Sequence, residues 1–309
     1  MIRRIVIDCD PGTDDAIALW LALASPEVEL AMVSVVGGNV GLDVTLPNAL
    51  AIVGLAGRGD IPVVAGAARA LLGGFPGAAE VHGEDGLGGV LLPEGPPVAP
   101  GLAADRIREL LRGSGPDSVT LVGIGPATNL ALVVATEPAL LDRVAEIVLM
   151  TGAMREGNIT PSAEFNAYCD PEALAVLLGC GRPVTLATLD VTNQALCTPA
   201  RIAALRASGG GACARAVADI WDRVAPSARS DHAGHEQHDP CALAWLIAPH
   251  LFTARDVFAE VDCGVGPGRG RTVIDRWRVD GRAPNTRLLE TVDADGFFAL
   301  LTERLPRLP

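Results

Sequence analysis

Apolar and polar positions fall into two alternating kinds of run along this chain. Ile2–Asp8, Val28–Val36, Ile61–Val64, Ser118–Val122, Ala145–Met150 and Pro183–Ala187 are short apolar runs, several rich in β-branched residues, and read as strands buried on both faces. Asp14–Ala24, Thr45–Leu55, Asp105–Leu111, Ala127–Ala135 and Pro171–Leu178 read as helices. Ser25-Pro26 and Gly57 end the first two, and Pro171 suits the first turn of the last. This alternation, from residue 2 to about 187, predicts an α/β fold: an open, mostly parallel β-sheet with helices on both faces and a Rossmann-like core.

Beyond Pro199 the pattern loosens into two helical stretches, a polar segment Ser227–His238 and a helix opening near Asp239-Pro240. Two β-rich runs follow, Val257–Val261 and Thr272–Arg278, with a last helix near Phe297–Leu305. Residues 66–100 are rich in Gly and Pro, and residues 151–168 form a polar loop. Loops of that length in a compact domain tend to carry function or disorder. No repeat or linker is visible, so residues 1–309 read as a single domain.

Composition narrows the partners. Of 309 residues 49% are hydrophobic and 20% charged, which excludes a disordered chain. A formal charge of −13 repels phosphate backbones and anionic lipid, so neither nucleic acid nor a membrane is expected, whereas neutral ligands and bound cations suit the surface. All 24 basic residues are Arg, which removes Schiff-base and P-loop lysine chemistry. Seven scattered Cys without a C-x-x-C read as reduced thiols of a cytoplasmic protein. The N-terminus enters a strand directly, and no apolar run is long enough to cross a bilayer.

The sharpest chemical signal is Asp8-Cys9-Asp10-Pro11-Gly12-Thr13-Asp14-Asp15, four carboxylates within eight residues at a strand-to-helix turn. Ligands of open α/β sheets bind at the carboxyl ends of strands. Crowded carboxylates repel, and a hard divalent cation such as calcium or magnesium relieves them. Favourable placement at a helix N-terminus explains Asp14 and Asp15 but not Asp8 and Asp10. An apolar strand followed by D-x-D also fits a magnesium-dependent phosphatase, in which an Arg would have to replace the customary Lys.

The string IDCDPGTDDAIAL resembles the N-terminal signature of the nucleoside hydrolases, the inosine–uridine-preferring family. The resemblance continues through Gly37-Gly38-Asn39, Val81-His82-Gly83-Glu84-Asp85-Gly86-Leu87, Gly125-Pro126-Ala127-Thr128-Asn129-Leu130, Gly157-Asn158 with Glu164-Phe165-Asn166, Leu189-Asp190-Val191-Thr192 and His238-Asp239-Pro240. It spans residues 5 to about 290, and the ordered set is far more specific than any one string. It implies calcium-dependent hydrolysis of ribonucleosides to ribose and free base by a homodimer or homotetramer.

Carried over residue by residue, the resemblance makes Asp10, Asp15 and Asp239 side-chain ligands of Ca2+, with the backbone carbonyl of Ile124 as another. Asp10 is also the general base, and His238 protonates the leaving base. Asp14 and Asn166 hold the 2′ and 3′ hydroxyls with help from Asp239 and Asn39; Asn158 and Glu164 hold the 5′ hydroxyl; His82 faces the pocket. Read without the resemblance, Asn158 is a turn former, Asn166 an Asx turn and Glu164 an exposed acid.

The spacing His232-x-x-His235-x-x-His238 is compatible with zinc on a helix, but Gly234 and Pro240 disfavour one there; His232 and His235 read as loop residues. Members of the family often carry Tyr on the helix before the His-Asp pair. Here the single Tyr168 lies elsewhere, and Trp221 is the one aromatic on that stretch, stacking on the base or filling the core. A ribose or nucleoside binder without catalysis is a third reading, against which Asp10 and His238 are both retained.

Overall fold

The computed structural model describes residues 2–227 and 230–309, so positions 228 and 229 of the polar segment lie outside the described residues. The chain opens with strand β1 (Arg3–Cys9) and helix α1 (Thr13–Leu23), then β2 (Val28–Val35), α2 (Leu42–Leu55) and β3 (Val63–Ala65). One helical turn, α3 (Ala79–His82), interrupts the Gly/Pro-rich loop before α4 (Ala103–Arg112). Then come β4 (Val119–Gly123), α5 (Thr128–Thr136), β5 (Val144–Met150), α6 (Phe165–Cys169), α7 (Pro171–Leu178), β6 (Val184–Ala187) and α8 (Leu189–Thr192). The last part comprises β7 (Leu196–Cys197), α9 (Pro199–Ala207), α10 (Ala212–Arg223), β8 (His235–Glu236), α11 (Asp239–Ile247), β9 (Phe252–Val261), β10 (Thr272–Asp275), β11 (Thr286–Val292) and α12 (Ala294–Arg304).

Nine strands form one sheet in the order β10-β9-β11-β6-β5-β4-β1-β2-β3. All neighbours from β11 to β3 are parallel, while β9 runs antiparallel to both β11 and β10. Alternation along β1 explains why the run is buried throughout: Ile5, Ile7 and Cys9 enter one apolar cluster, with Trp20, Trp221 and Phe297, and Val6 enters the other, with Leu121, Leu130 and Leu174.

The predicted alternation is present, with corrections at the C-terminal edge. β11 is an additional strand not singled out by the pattern, and β9 starts at Phe252 rather than Val257. Exposed residues interrupt the apolar run in this part of the sheet, as at Thr253–Asp256. The loop 151–168 ends in helix α6. α2 begins at Leu42, three residues earlier than predicted, which carries Pro47 beyond the first turn.

Connectivity places the site. From β1 the chain proceeds outward to β2 and β3, then returns to the other side of β1 as β4. The carboxyl ends of β1 and β4 therefore flank a topological switch point, where an open α/β sheet leaves a crevice. Asp10 follows β1 and Ile124 follows β4 directly.

Candidate functional site

A cavity of about 390 Å³ opens at that crevice, within the size range of small-molecule sites. Asp14, Asn39, His82, Ile124, Asn158, Glu164, Asn166, His238 and Asp239 all contribute to its wall, so most of the residues nominated from the sequence converge there. Asp10 and Asp15 lie beneath, fully buried.

The turn after β1 organises the acids. Asp15 caps its own helix: Oδ2 accepts from Gly12 N at 2.9 Å, and Oδ1 from Asp10 N at 3.2 Å. Asn39 ties the two acids together, donating its backbone N–H to Asp10 Oδ2 (2.7 Å) and its amide to Asp15 Oδ2 (3.2 Å). The other oxygen, Asp10 Oδ1, is buried and has no hydrogen-bond partner among the described residues. Room for that carboxylate depends on two glycines. A Cβ at Gly38 would stand 2.1 Å from Asp10 Oδ2, and one at Gly125 would stand 2.4 Å from Oδ1.

Asp239, the first residue of α11, arrives from the far end of the chain. Its N–H donates to Asp14 Oδ2 at 3.3 Å. Asp14, Asp15 and Asp239 each bring a carboxylate oxygen within 4.8 Å of the others. Burial first, then the charge of Asp15, pushes Asp10 well above the ordinary carboxylate range. Burial followed by the charges of Asp14, Asp15 and Asp10 does the same to Asp239, and burial with Asp14 carries Asp15 to about 7. A cluster that resists ionisation this strongly, with one oxygen left unbonded, has the donor chemistry of a hard-cation site. The residues present therefore fit a divalent metal.

The remaining wall is held by second contacts that the sequence did not reveal. Asn166 donates its amide to the carbonyls of Ile124 (2.9 Å) and Met150 (3.1 Å), at the ends of β4 and β5. Glu164 is a buried brace rather than an exposed acid. Its two oxygens accept from Thr151 Oγ1, Gly152 N, Asn166 N and Ala167 N at 2.8–3.1 Å, which caps α6 and occupies its acceptor sites. Asn158 Oδ1 accepts from Phe165 N at 2.8 Å, leaving its amide N–H2 uncommitted among the described residues.

Each histidine of the wall has a distinct setting. Thr13 N donates to His82 Nδ1 at 3.2 Å, so that nitrogen carries the lone pair, and burial lowers the affinity of His82 for a proton. His238 caps α11 in sequence position, and its Nδ1 pairs with Thr192 Oγ1 at 2.8 Å, leaving Nε2 available. His235 departs from the loop reading: it is a buried residue of β8 on the cavity wall. His232 is exposed, with Nδ1 3.3 Å from the Pro226 carbonyl. Trp221 is 1% exposed, donates Nε1 to Gln237 Oε1 at 2.8 Å and stands against Phe298, so it is core and wall at once.

Known proteins resemble this chain in sequence and in fold. The profile of the inosine-uridine preferring nucleoside hydrolases matches residues 5–299. A pyrimidine-specific ribonucleoside hydrolase RihA of Salmonella schwarzengrund is 43% identical over 310 residues, covering 99% of each chain. A purine-preferring ribonucleoside hydrolase from Gardnerella vaginalis superposes with a TM-score of 0.90 at 32% identity, covering 98% of each chain. A plant nucleoside hydrolase, PpNRh1, superposes with a TM-score of 0.90 at 30% identity over 99% of each.

Proposed function

This chain belongs to the inosine-uridine preferring nucleoside hydrolase family, and on that premise we propose that it is a calcium-dependent hydrolase of pyrimidine ribonucleosides in which Asp10 is the general base and His238 the general acid. It is an N-ribohydrolase, cleaving the N-glycosidic bond of ribonucleosides to ribose and free base. The observation that carries the calcium reading is the unpartnered, buried Asp10 Oδ1 beside three converging carboxylates. We assign the cation to Asp10, Asp15 and Asp239 with the Ile124 carbonyl, whose second lone pair is free beside its bond from Asn166. When bound, calcium supplies charge that neutralises these acids and polarises water.

Asp10 Oδ1 accepts a proton from the attacking water as its oxygen bonds to C1′ of the ribose. The C1′–N bond breaks, its electron pair goes to the base nitrogen, and His238 Nε2–H supplies the neutralising proton. The transition state is oxocarbenium-like, and the acid-lined floor favours its positive charge. Asp14 and Asn166, helped by Asp239 and Asn39, take the 2′ and 3′ hydroxyls. Asn158 takes the 5′ hydroxyl through its free amide, with Glu164 bracing α6 behind it. His82 stands on the base side. The pyrimidine preference rests on the RihA relative at 43% identity. A reducing-sugar assay over uridine, cytidine, inosine, adenosine and guanosine, with and without chelator, tests both parts; equal or faster release from purines would reverse the preference. A phosphatase reading is disfavoured because no Arg lines the cavity among the described residues.

We read residues 1–309 as one domain of a cytoplasmic homodimer or homotetramer. All seven Cys are free, and no helix among the described residues is long and apolar enough to cross a membrane. Trp277 and Val279, 76% and 82% exposed, suit contacts between copies, and sedimentation of the purified protein tests this.

His238→Ala should slow natural nucleosides by roughly 10²–10⁴-fold. p-Nitrophenyl riboside, whose phenolate leaves without a proton, should be largely spared. Equal losses in kcat/KM on the two substrates would leave His238 only the role of ordering its loop.

The buried acids also set a pH dependence. Burial, followed by the charge of Asp14, pushes Asp15 up to about 7 in the folded protein, above its ordinary value of 3.8. A raised folded-state value stabilises the fold below the ordinary one and is lost as pH rises through the folded one. Metal-free protein should therefore lose melting temperature between pH 4 and about 7. Calcium binds the ionised form, so its increment in melting temperature should be larger at pH 8 than at pH 5. An increment that does not grow with pH would argue against these carboxylates as ligands.

A further inference from the structure

The wall that carries His238 holds another histidine, for which the chemistry above has no use. His235 is 5% exposed and contributes to the same cavity as Asp14, His238 and Trp221. Its Nε2 is buried without a hydrogen-bond partner among the described residues. Leaving a buried polar nitrogen unpaired is costly, so its retention calls for a bonding atom that the described residues do not provide.

Several polar groups of this wall are already committed. Trp221 Nε1 bonds Gln237 Oε1 (2.8 Å), and Gln237 Nε2 bonds the Glu236 carbonyl (3.1 Å). His238 Nδ1 is taken by Thr192, and His82 Nδ1 by Thr13. The backbone of His235 is fixed by antiparallel pairing of β8 with β7, His235 opposite Cys197. Burial favours the uncharged imidazole, which offers one donor and one acceptor.

We propose that His235 is a specificity-determining residue, meeting the polar edge of the leaving nucleobase, a ring carbonyl or ring N–H, through Nε2. The inference rests on the reading of this cavity as the nucleoside site and adds the group that distinguishes a base from an apolar leaving group. It also accounts for a base-side wall whose aromatic residue, Trp221, is tied into the core.

The test compares wild type, His235→Phe and His235→Gln on the best ribonucleoside of the panel and on p-nitrophenyl riboside, which lacks the base edge. For His235→Phe, kcat/KM on the nucleoside should fall roughly 10–100-fold, with p-nitrophenyl riboside changed by less than about threefold and inhibition by free ribose unaltered. His235→Gln keeps a donor and an acceptor and should recover most of the loss. Equal losses on both substrates, or a Phe variant that cleaves nucleosides undiminished, would overturn the proposal. If the wild type cleaved p-nitrophenyl riboside but bound nucleosides elsewhere, chelation and Asp10 variants would spare nucleoside cleavage. The cavity assignment itself would then fall, a result separable from failure of His235 alone.

Discussion

Asp10→Ala should lower kcat/KM by roughly 10⁴-fold or more, on natural nucleosides and on p-nitrophenyl riboside alike. One substitution removes two things. The first is the carboxylate whose Oδ2 is pinned by Asn39 N at 2.7 Å while Oδ1 has no partner among the described residues, as the proposed base requires. The second, on the proposed assignment, is an oxygen donor to the cation. Asp10→Asn retains the shape and an acceptor for Asn39 but neither the negative charge nor the base, so it should fail almost as completely. Exhaustive chelation of the wild type should reproduce the loss, with calcium restoring activity. Rates measured together with metal content by elemental analysis decide the matter: a metal-stripped protein working at full rate would remove the cation from the reaction. The substrate pattern separates Asp10 from His238, since activation of the nucleophile serves every leaving group and protonation serves only those that need it.

The parts of this molecule legible in the sequence were those with an unbroken local signal. β1, β2, β4, β5 and β6 are apolar on both faces and announce themselves. β11 does not, because Arg287 and Glu290 interrupt its run and its place is set by pairing with β6 and β9, far away in sequence. The acid cluster was visible because Asp8 through Asp15 are adjacent. Its relation to Asp239 came through resemblance alone, since no local pattern links residues 225 positions apart. Asp8 was conspicuous for the same adjacency, yet the structure ties its Oδ1 to Ser34 and to Asn129 Nδ2 beneath the sheet end, a buried brace pushed to about 7 by burial. Thr192 and Thr13, which orient His238 and His82, carry no signal beyond proximity to the motifs. His235 was obscured by the polar segment around it: two residues of strand pairing with β7 suffice to bury it, and two residues have no readable periodicity.

A 2′-deoxynucleoside should be a very poor substrate, with kcat/KM lower than that of its ribo counterpart by as much as roughly 10⁴-fold. On the proposed assignment the ribose hydroxyls meet groups whose other bonds are already made. Both amide hydrogens of Asn166 are spent on the carbonyls of Ile124 and Met150, which fixes the plane of the amide and leaves its oxygen for a hydroxyl. Asp14 keeps one oxygen on the N–H of Asp239 through a long contact of 3.3 Å and has the other to offer. Asp14, Asn166 and Asp239 are all under 10% exposed, so a missing hydroxyl is poorly replaced by water. Deleting the 2′ hydroxyl would thus leave buried acceptors unpaired, a larger penalty than the loss of an exposed hydrogen bond. The loss should fall on kcat as well as KM, because contacts to the sugar ring position C1′ against Asp10 in the transition state. Asn166→Ala should then slow uridine strongly and 2′-deoxyuridine much less, narrowing the ratio between them. Comparable kcat/KM for uridine and 2′-deoxyuridine in the wild type would take Asp14, Asn166 and Asp239 out of ribose recognition.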